Sequence, residues 1–130
     1  MGNKELERSQ ILIAESENDL LTLFRDYLSS LGAKTETARS GHEAIEQFLN
    51  SEKNERPYDV IVLDTHLLNP SGLDIAKRIR SQKPNQKLVL ITTSPKEYLP
   101  SECLAVAGIK DKDIFTMPFR MTQLGTVLKN

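Results

Sequence analysis

The chain has 130 residues, a formal net charge of −1 and a hydrophobic content of 38%. This length suits one domain with one core, and no apolar run approaches the roughly 18 residues that a membrane span needs. The near-neutral charge gives no electrostatic reason to expect nucleic acid or an anionic membrane as a partner. Cys103 is the only cysteine, so no internal disulfide can form. We therefore expect a soluble, cytoplasmic protein.

The amino-terminal part is predicted to contain a flexible lead and a first strand. Residues 1–9 are charged and polar, unlike a signal peptide, and the domain itself is expected over residues 10–130. The apolar run at residues 11–14 predicts a buried strand, and Glu15 and Ser16 close it.

A helix is predicted next, because apolar residues recur at helical spacing. Its stripe consists of Leu20, Phe24, Tyr27, Leu28 and Leu31. Gly32 is the predicted C-terminal cap. Ser16, with Asp19 three residues later, is the predicted N-terminal cap.

An edge strand and a second helix follow. The threonine-rich segment at residues 34–38 alternates weakly, which is typical of an edge strand. Ser40 and Glu43 frame a capping box. The apolar stripe behind it consists of Ala44, Ile45, Phe48 and Leu49. Residues 50–57 are polar and end in a proline, so a surface loop is predicted there.

One uninterrupted apolar run organises the second half of the chain. Residues 60–63 are aliphatic, and Asp64 closes the run. Such a run suits a strand that helices cover on both faces, as in a parallel sheet. Open α/β sheets bind ligands at the carboxyl ends of their strands. Asp64 is therefore either a site residue or simply the start of a loop.

The remaining pattern again alternates helix and strand. Ser71 is predicted to cap a third helix, and residues 87–91 predict a buried strand that ends in Thr92. Two prolines limit the next segment to a short or broken helix over about residues 101–107. A last strand at residues 113–117 and a short closing helix complete the chain.

Five strands that alternate with five helices predict an α/β fold. The sheet is expected to be parallel, with helices on both faces and right-handed crossovers. Four strand ends then converge on one rim, at Glu15, Asp64, Thr92 and Met117.

Two carboxylates and a hydroxyl at this rim indicate a cation and phosphoryl site. Mg²⁺ is typically held by one or two carboxylates and several waters. An aspartate such as Asp64 can attack a phosphoryl group and carry it as an acyl phosphate, and the hydroxyl of Thr92 can hydrogen-bond its oxygens. The candidate metal ligands are Glu15 and Asp64, with Ser16 as a weaker third.

The ordered motifs resemble the receiver domain of two-component response regulators over about residues 10–129. They are Ile11-Leu12-Ile13-Ala14-Glu15, Asp59-Val60-Ile61-Val62-Leu63-Asp64, Gly72, Leu88 to Thr92, and Pro118-Phe119. The resemblance implies a sheet of order 2-1-3-4-5. It also implies that Asp64 accepts a phosphoryl group from a histidine kinase or phosphotransfer protein, that Thr92 coordinates this group, and that the bond before Pro118 is cis.

Four positions depart from the family's pattern. Ser16 replaces the second of two adjacent acids, which is a direct Mg²⁺ ligand in the family. Met117 replaces the Lys that pairs with the phosphoryl group, and Ile114 replaces an aromatic switch residue. Leu68 stands where a Pro is usual.

Two functions stay open on this pattern. The carboxylates of Glu15 and Asp64 give the rim two negative charges that attract a divalent cation, but nothing replaces the lost Lys contact. We predict a receiver that is phosphorylated on Asp64 with reduced efficiency over a weakened Mg²⁺ site. The alternative is a phosphorylation-independent pseudo-receiver that acts as a protein-binding module. Because Ile114 has no ring to swing, any signal is expected to pass through backbone movement near Thr92 and Ser94.

Other expectations concern reaction class and partners. We expect no enzyme beyond self-catalysed phosphoryl transfer to and from Asp64. A haloacid-dehalogenase-type phosphatase would need an Asp where His66 stands, and a flavodoxin would need a Ser/Thr/Gly-rich loop after the first strand. His66 is interpreted as an exposed imidazole, although it could tune water access or bind a metal with Asp64. A downstream protein target is expected, dimerisation stays open, and the chain is either a stand-alone receiver or a fragment of a longer protein.

Overall fold

The computed structural model describes residues 6–68 and 70–129. Five parallel strands form one sheet in the order β2-β1-β3-β4-β5, as predicted. The strands are β1 (Gln10–Ala14), β2 (Lys34–Ala38), β3 (Val60–Asp64), β4 (Lys87–Thr92) and β5 (Ile114–Thr116). The helices are α1 (Asn18–Ser30), α2 (Gly41–Lys53), α3 (Gly72–Gln82), α4 (Ser101–Ala107) and α5 (Met121–Lys129). Within these described ranges, no helix is long and apolar enough to cross a membrane.

β3 lies at the centre of the sheet and is buried along its whole length. Its residues alternate between two apolar cores, because successive side chains of a strand point to opposite faces. Ile61 and Leu63 pack in the core that contains residues of α2, α3 and α4. Val60 and Val62 pack in the core that contains residues of α1 and α5. β3 is therefore apolar throughout because helices cover the strand on both faces, as the sequence predicted.

Two predicted boundaries were wrong. α2 continues to Lys53, so the loop expected over residues 50–57 begins later than predicted. Its last turn is polar because it faces solvent, and polarity alone does not distinguish an exposed helical turn from a loop. The capping pair Ser16 and Asp19 does not form: Glu17 occupies the N-cap position of α1 without a side-chain cap bond.

Several local predictions were confirmed. Gly32 follows the last turn of α1 with a φ of +95°, the conformation that favours glycine at a helix C-terminus. The hydroxyls of Ser40 and Ser71 cap α2 and α3 by accepting N–H bonds at 3.2 and 3.3 Å. The short α4 spans Ser101–Ala107, as predicted, and the Met117-Pro118 peptide bond is cis.

The predicted lead over residues 1–9 is only partly described. Residues 1–5 lie outside the described residues. Leu6 is 2% exposed and packs in the core beneath α1, and its N–H donates to the carbonyl of Leu31 at 2.8 Å. The flexible lead stays a prediction, and the burial of Leu6 shows that the lead contributes one apolar side chain to the core.

Candidate functional site

Three predicted site residues lie on adjacent strands at one rim of the sheet. Glu15 directly follows β1, Asp64 ends β3, and Thr92 ends β4. The register places Asp64 opposite Ile91, one residue before Thr92. All three side chains are buried, with exposures of 2%, 7% and 0%. The sheet therefore brings two carboxyl groups and a hydroxyl into one desolvated region.

The carboxyl group of Glu15 lies within hydrogen-bonding reach of the carboxyl group of Asp64. Burial first, and then the hydrogen-bonding contact and negative charge of Asp64, together raise the pKa of Glu15 to about 8. The N–H of Glu17 donates to Oε2 of Glu15 at 3.1 Å and opposes the shift. Burial and the nearby Asp64 therefore favour the protonated form of Glu15 more than in an exposed glutamate. The two negative charges expected at Glu15 and Asp64 stay a prediction, and the raised pKa of Glu15 opposes the second of them.

Asp64 also organises the loop that follows it. Its Oδ1 accepts the N–H of His66 at 3.0 Å, and its main-chain carbonyl accepts the N–H of Leu67 at 3.2 Å. These bonds close a tight turn directly after β3. The side chain of Leu67 is fully buried, which anchors the turn to the core.

Two glycines allow neighbouring backbone segments to approach this loop closely. A Cβ on Gly72 would lie 2.1 Å from the carbonyl oxygen of Asp64, and a Cβ on Gly41 would lie 2.1 Å from that of Pro70. The N–H of Gly41 donates to the carbonyl of Leu68 at 3.0 Å. Neither position can carry a side chain without moving the backbone. The sequence singled out Gly72 by its spacing, but it contained no signal for the role of Gly41, because that contact is distant along the chain.

Thr92 and its neighbours connect the rim to the β4–α4 loop. The hydroxyl of Thr92 accepts the N–H of Ser94 at 3.0 Å. His66 is exposed, as interpreted, and its Nε2 lies 2.6 Å from Oγ1 of Thr93. This hydrogen bond joins the loops that follow β3 and β4, a contact that the sequence did not predict. Thr92 also accepts the N–H of Met117 through its carbonyl at 2.7 Å.

The positions that depart from the family pattern are apolar or exposed. Met117 is half-buried and, like Phe115 and Phe119, packs against the core beneath α1. Ile114 is 5% exposed and lies in the opposite core, so it has no freedom to swing toward solvent. Ser16 is exposed beside Glu15. The rim therefore carries no cationic side chain at residue 117.

Comparison with known proteins gives the family. The model of the response regulator receiver domain matches residues 11–129. The chain belongs to this family. The receiver domain is 30% identical to the alkaline phosphatase synthesis transcriptional regulatory protein PhoP of Bacillus subtilis, over 92% of this chain and 47% of that protein. It is 28% identical to the transcriptional regulatory protein RprY of Bacteroides fragilis, over 91% of this chain and 47% of that protein. The chain thus spans about half the length of these curated relatives.

Solved structures agree with the fold. The response regulator protein TrrA of Thermotoga maritima, in complex with Mg²⁺-BeF, superposes with a TM-score of 0.79 at 26% identity, over 93% of this chain and 96% of that one. A CheY-like receiver domain protein of Methanospirillum hungatei superposes with a TM-score of 0.80 at 19% identity, covering 95% and 92% of the two chains. The second likeness concerns the fold alone.

The rim of this receiver domain fits a water-rich magnesium site. Glu15 and Asp64 supply buried oxygen ligands, which Mg²⁺ prefers, and Mg²⁺ keeps several waters when few carboxylates are present. In the described part of the chain, no group of three or more His, Cys, Asp or Glu side chains is placed to hold a metal. A cation that binds here competes with a proton for Glu15, because burial raises the pKa of that group.

Proposed function

We propose that this receiver domain accepts a phosphoryl group on Asp64 from a histidine kinase or a phosphotransfer protein, with reduced efficiency. The supporting observation is the position of Asp64 at the end of the central strand, within hydrogen-bonding reach of Glu15 and next to the strand that ends in Thr92. A desolvated carboxylate with an adjacent hydroxyl and an adjacent second acid suits covalent phosphoryl transfer.

The proposed reaction uses these side chains directly. A carboxylate oxygen of Asp64 attacks the phosphorus of a phosphohistidine, an acyl phosphate bond forms, and the phosphorus–nitrogen bond breaks with its electron pair staying on the imidazole. The hydroxyl of Thr92 donates a hydrogen bond to the transferred group while still accepting the N–H of Ser94. Mg²⁺, held by Glu15 and Asp64, would neutralise charge on the phosphoryl oxygens. Attack of water on the phosphorus later releases inorganic phosphate and restores the carboxylate.

Three features account for the reduced efficiency. Met117 offers no positive charge or hydrogen-bond donor to the phosphoryl group. Ser16 contributes a neutral oxygen where a carboxylate would hold Mg²⁺ more strongly. Glu15 binds the cation in competition with a proton, because burial raises the pKa of this group.

The second candidate is a pseudo-receiver that binds proteins without phosphorylation. It is favoured by Met117, which packs against the apolar core and offers no charge to the rim, and by the raised pKa of Glu15, which weakens its attraction for a cation. A downstream protein target belongs to both candidates. A cytoplasmic location and the lack of contact with nucleic acid or membrane stay predictions.

Phosphorylation can be measured by intact-protein mass spectrometry. We expect incubation with acetyl phosphate and Mg²⁺ to add the mass of one phosphoryl group to the wild type, and Asp64→Ala to abolish this gain. Asp19→Asn is the matched control, since Asp19 is an exposed acid in the first turn of α1. A wild type that gains no mass with acetyl phosphate or with a phosphorylated phosphotransfer protein would refute the proposal and leave the pseudo-receiver.

A further inference from the structure

β2 lies at one edge of the sheet, and its outer side is open. It pairs with β1 alone. The N–H of Lys34 and the carbonyl of Ala38 bond to the β1 side, at 2.8 and 3.0 Å. Main-chain groups alternate in direction along a strand, so Thr35 and Thr37 turn theirs away from the sheet. An unpaired edge of this kind is a template for another strand.

Some of the outward groups already have partners within the chain. The side-chain amide of Gln47 donates to the carbonyl of Thr37 at 2.9 Å. The N–H of Ala33, which precedes β2, donates to the carbonyl of Leu28 at 3.2 Å. Four groups therefore have no hydrogen-bond partner among the described residues. They are the N–H and carbonyl of Thr35, the N–H of Thr37 and the carbonyl of Ala33.

These four groups are complementary to their own copies. If a second β2 lies antiparallel with Thr35 opposite Thr35, each Thr35 N–H donates to the other Thr35 carbonyl. Each Thr37 N–H then faces the Ala33 carbonyl of the other copy. The same two-fold arrangement requires nothing of the Thr37 carbonyl or the Ala33 N–H, which are already bonded. All four open groups are satisfied in one register.

The side chains of β2 fit the same register. Lys34 and Glu36 flank Thr35 and point to the same face of the sheet, and both are exposed. In the antiparallel alignment, each Lys34 lies opposite a Glu36, and opposite charges across strands are favourable. The hydroxyl of Tyr58 hydrogen-bonds Glu36 and holds its carboxylate in place. Parallel pairing in register would instead place like charges opposite each other.

The neighbouring helix leaves this edge accessible. A cleft of about 720 Å³ lies between the carboxyl-terminal half of α2 and the amino-terminal half of β2. It is lined on the β2 side by Lys34, Thr35 and Glu36. We propose that β2 pairs with β2 of a second copy of this chain about a two-fold axis, so that one continuous sheet spans both copies. This proposal is independent of phosphorylation, because the contact involves no residue of the Asp64 rim. With one short strand pair, the dimer should be weak, with a Kd on the order of 100 µM.

A charge-swap experiment tests the pairing. By sedimentation equilibrium, we expect the wild type to dimerise, and Lys34→Glu and Glu36→Lys each to weaken self-association by about tenfold or more. Mixing the two variants should restore association as a heterodimer, because each Glu then faces a Lys. Lys53→Glu, an exposed charge reversal on α2, is the control and should leave association unchanged.

A second variant tests the main-chain bonds, and circular dichroism checks that each variant folds. Thr35→Pro removes an outward N–H without removing any bond to β1, and proline is tolerated at such edge positions. It should abolish the dimer and leave the fold intact. A wild type that stays monomeric at millimolar concentration would refute the proposal, as would charge-swapped variants that fail to associate when mixed. If the edge instead binds an extended segment of another protein, the wild type would stay monomeric and the proposal would be refuted.

Discussion

Replacing Glu15 with Gln should change how the stability of this receiver domain depends on pH. Glu15 is 2% exposed, and burial followed by contact with Asp64 raises its pKa from 4.5 to about 8. Below pH 4.5, the group is protonated in both the native and the unfolded state. Between pH 4.5 and about pH 8, Glu15 loses its proton in the unfolded chain but keeps it in the native protein, so the native state binds more protons. The free energy of unfolding must therefore fall as pH rises through this range.

The size of the effect follows from the two pKa values. One pKa unit corresponds to about 1.4 kcal/mol, so the difference between 4.5 and about 8 costs the native state at most about 5 kcal/mol once the pH exceeds 8. Between about pH 5.5 and about pH 8.5, the wild type should lose about 3 kcal/mol through this group. The Gln variant cannot ionise, and its amide can still donate a hydrogen bond to Asp64.

Urea unfolding of both proteins across this pH range, in the presence of EDTA, measures the difference. The variant should gain stability relative to the wild type as pH rises. Glu97→Gln is the control, because Glu97 is an exposed acid, and it should leave the pH dependence of the wild type unchanged. A stability difference between wild type and Glu15→Gln that is constant with pH would show that Glu15 does not hold a proton in the native state.

Four further outcomes can be measured. Gly72→Ala should lower the free energy of unfolding by about 3 kcal/mol or more, because its Cβ would overlap the main-chain carbonyl that ends β3, whereas Gly125→Ala should change it by about 1 kcal/mol or less. Equal urea midpoints for the two variants would contradict this. Ser16→Asp should tighten Mg²⁺ binding about tenfold in an NMR titration, since it adds a carboxylate ligand, and unchanged affinity would exclude this position as a ligand. Met117→Lys should raise the rate of phosphorylation by acetyl phosphate about tenfold, and Met117→Leu should not, because only the lysine adds charge. Beryllofluoride with Mg²⁺ should alter amide exchange over residues 92–108, and an unchanged segment would argue against signalling through the backbone there.

The sequence predicted the strands well, because burial on both faces leaves a strong pattern. The apolar run of β3 and the threonine-rich β2 each indicated a position in the sheet, and the family resemblance supplied the order. The end of α2 was not predictable in this way, because a solvent-facing turn and a loop share the same polar composition. Leu6 was missed for a related reason, since one apolar residue in a charged segment forms no pattern.

The sequence could predict which residues form the candidate site, but not how they are arranged. Sequence spacing indicated that Glu15, Asp64 and Thr92 share a rim, but it could not give the distance between two carboxyl groups. That distance decides whether the acids repel as two charges or share one proton. The bond between His66 and Thr93 was equally out of reach, because it depends on how two loops meet across neighbouring strands.

Ser16 and Met117 are best understood together. The family pattern places an acid at the first position and a Lys at the second, so the loss of both leaves the net charge of the rim unchanged. The two remaining acids still lie side by side in a buried site, and burial followed by the contact with Asp64 raises the pKa of Glu15. A rim that is neutralised by a proton folds at low electrostatic cost without any ion. A cation that binds at this rim therefore competes with a proton for the oxygens of Glu15.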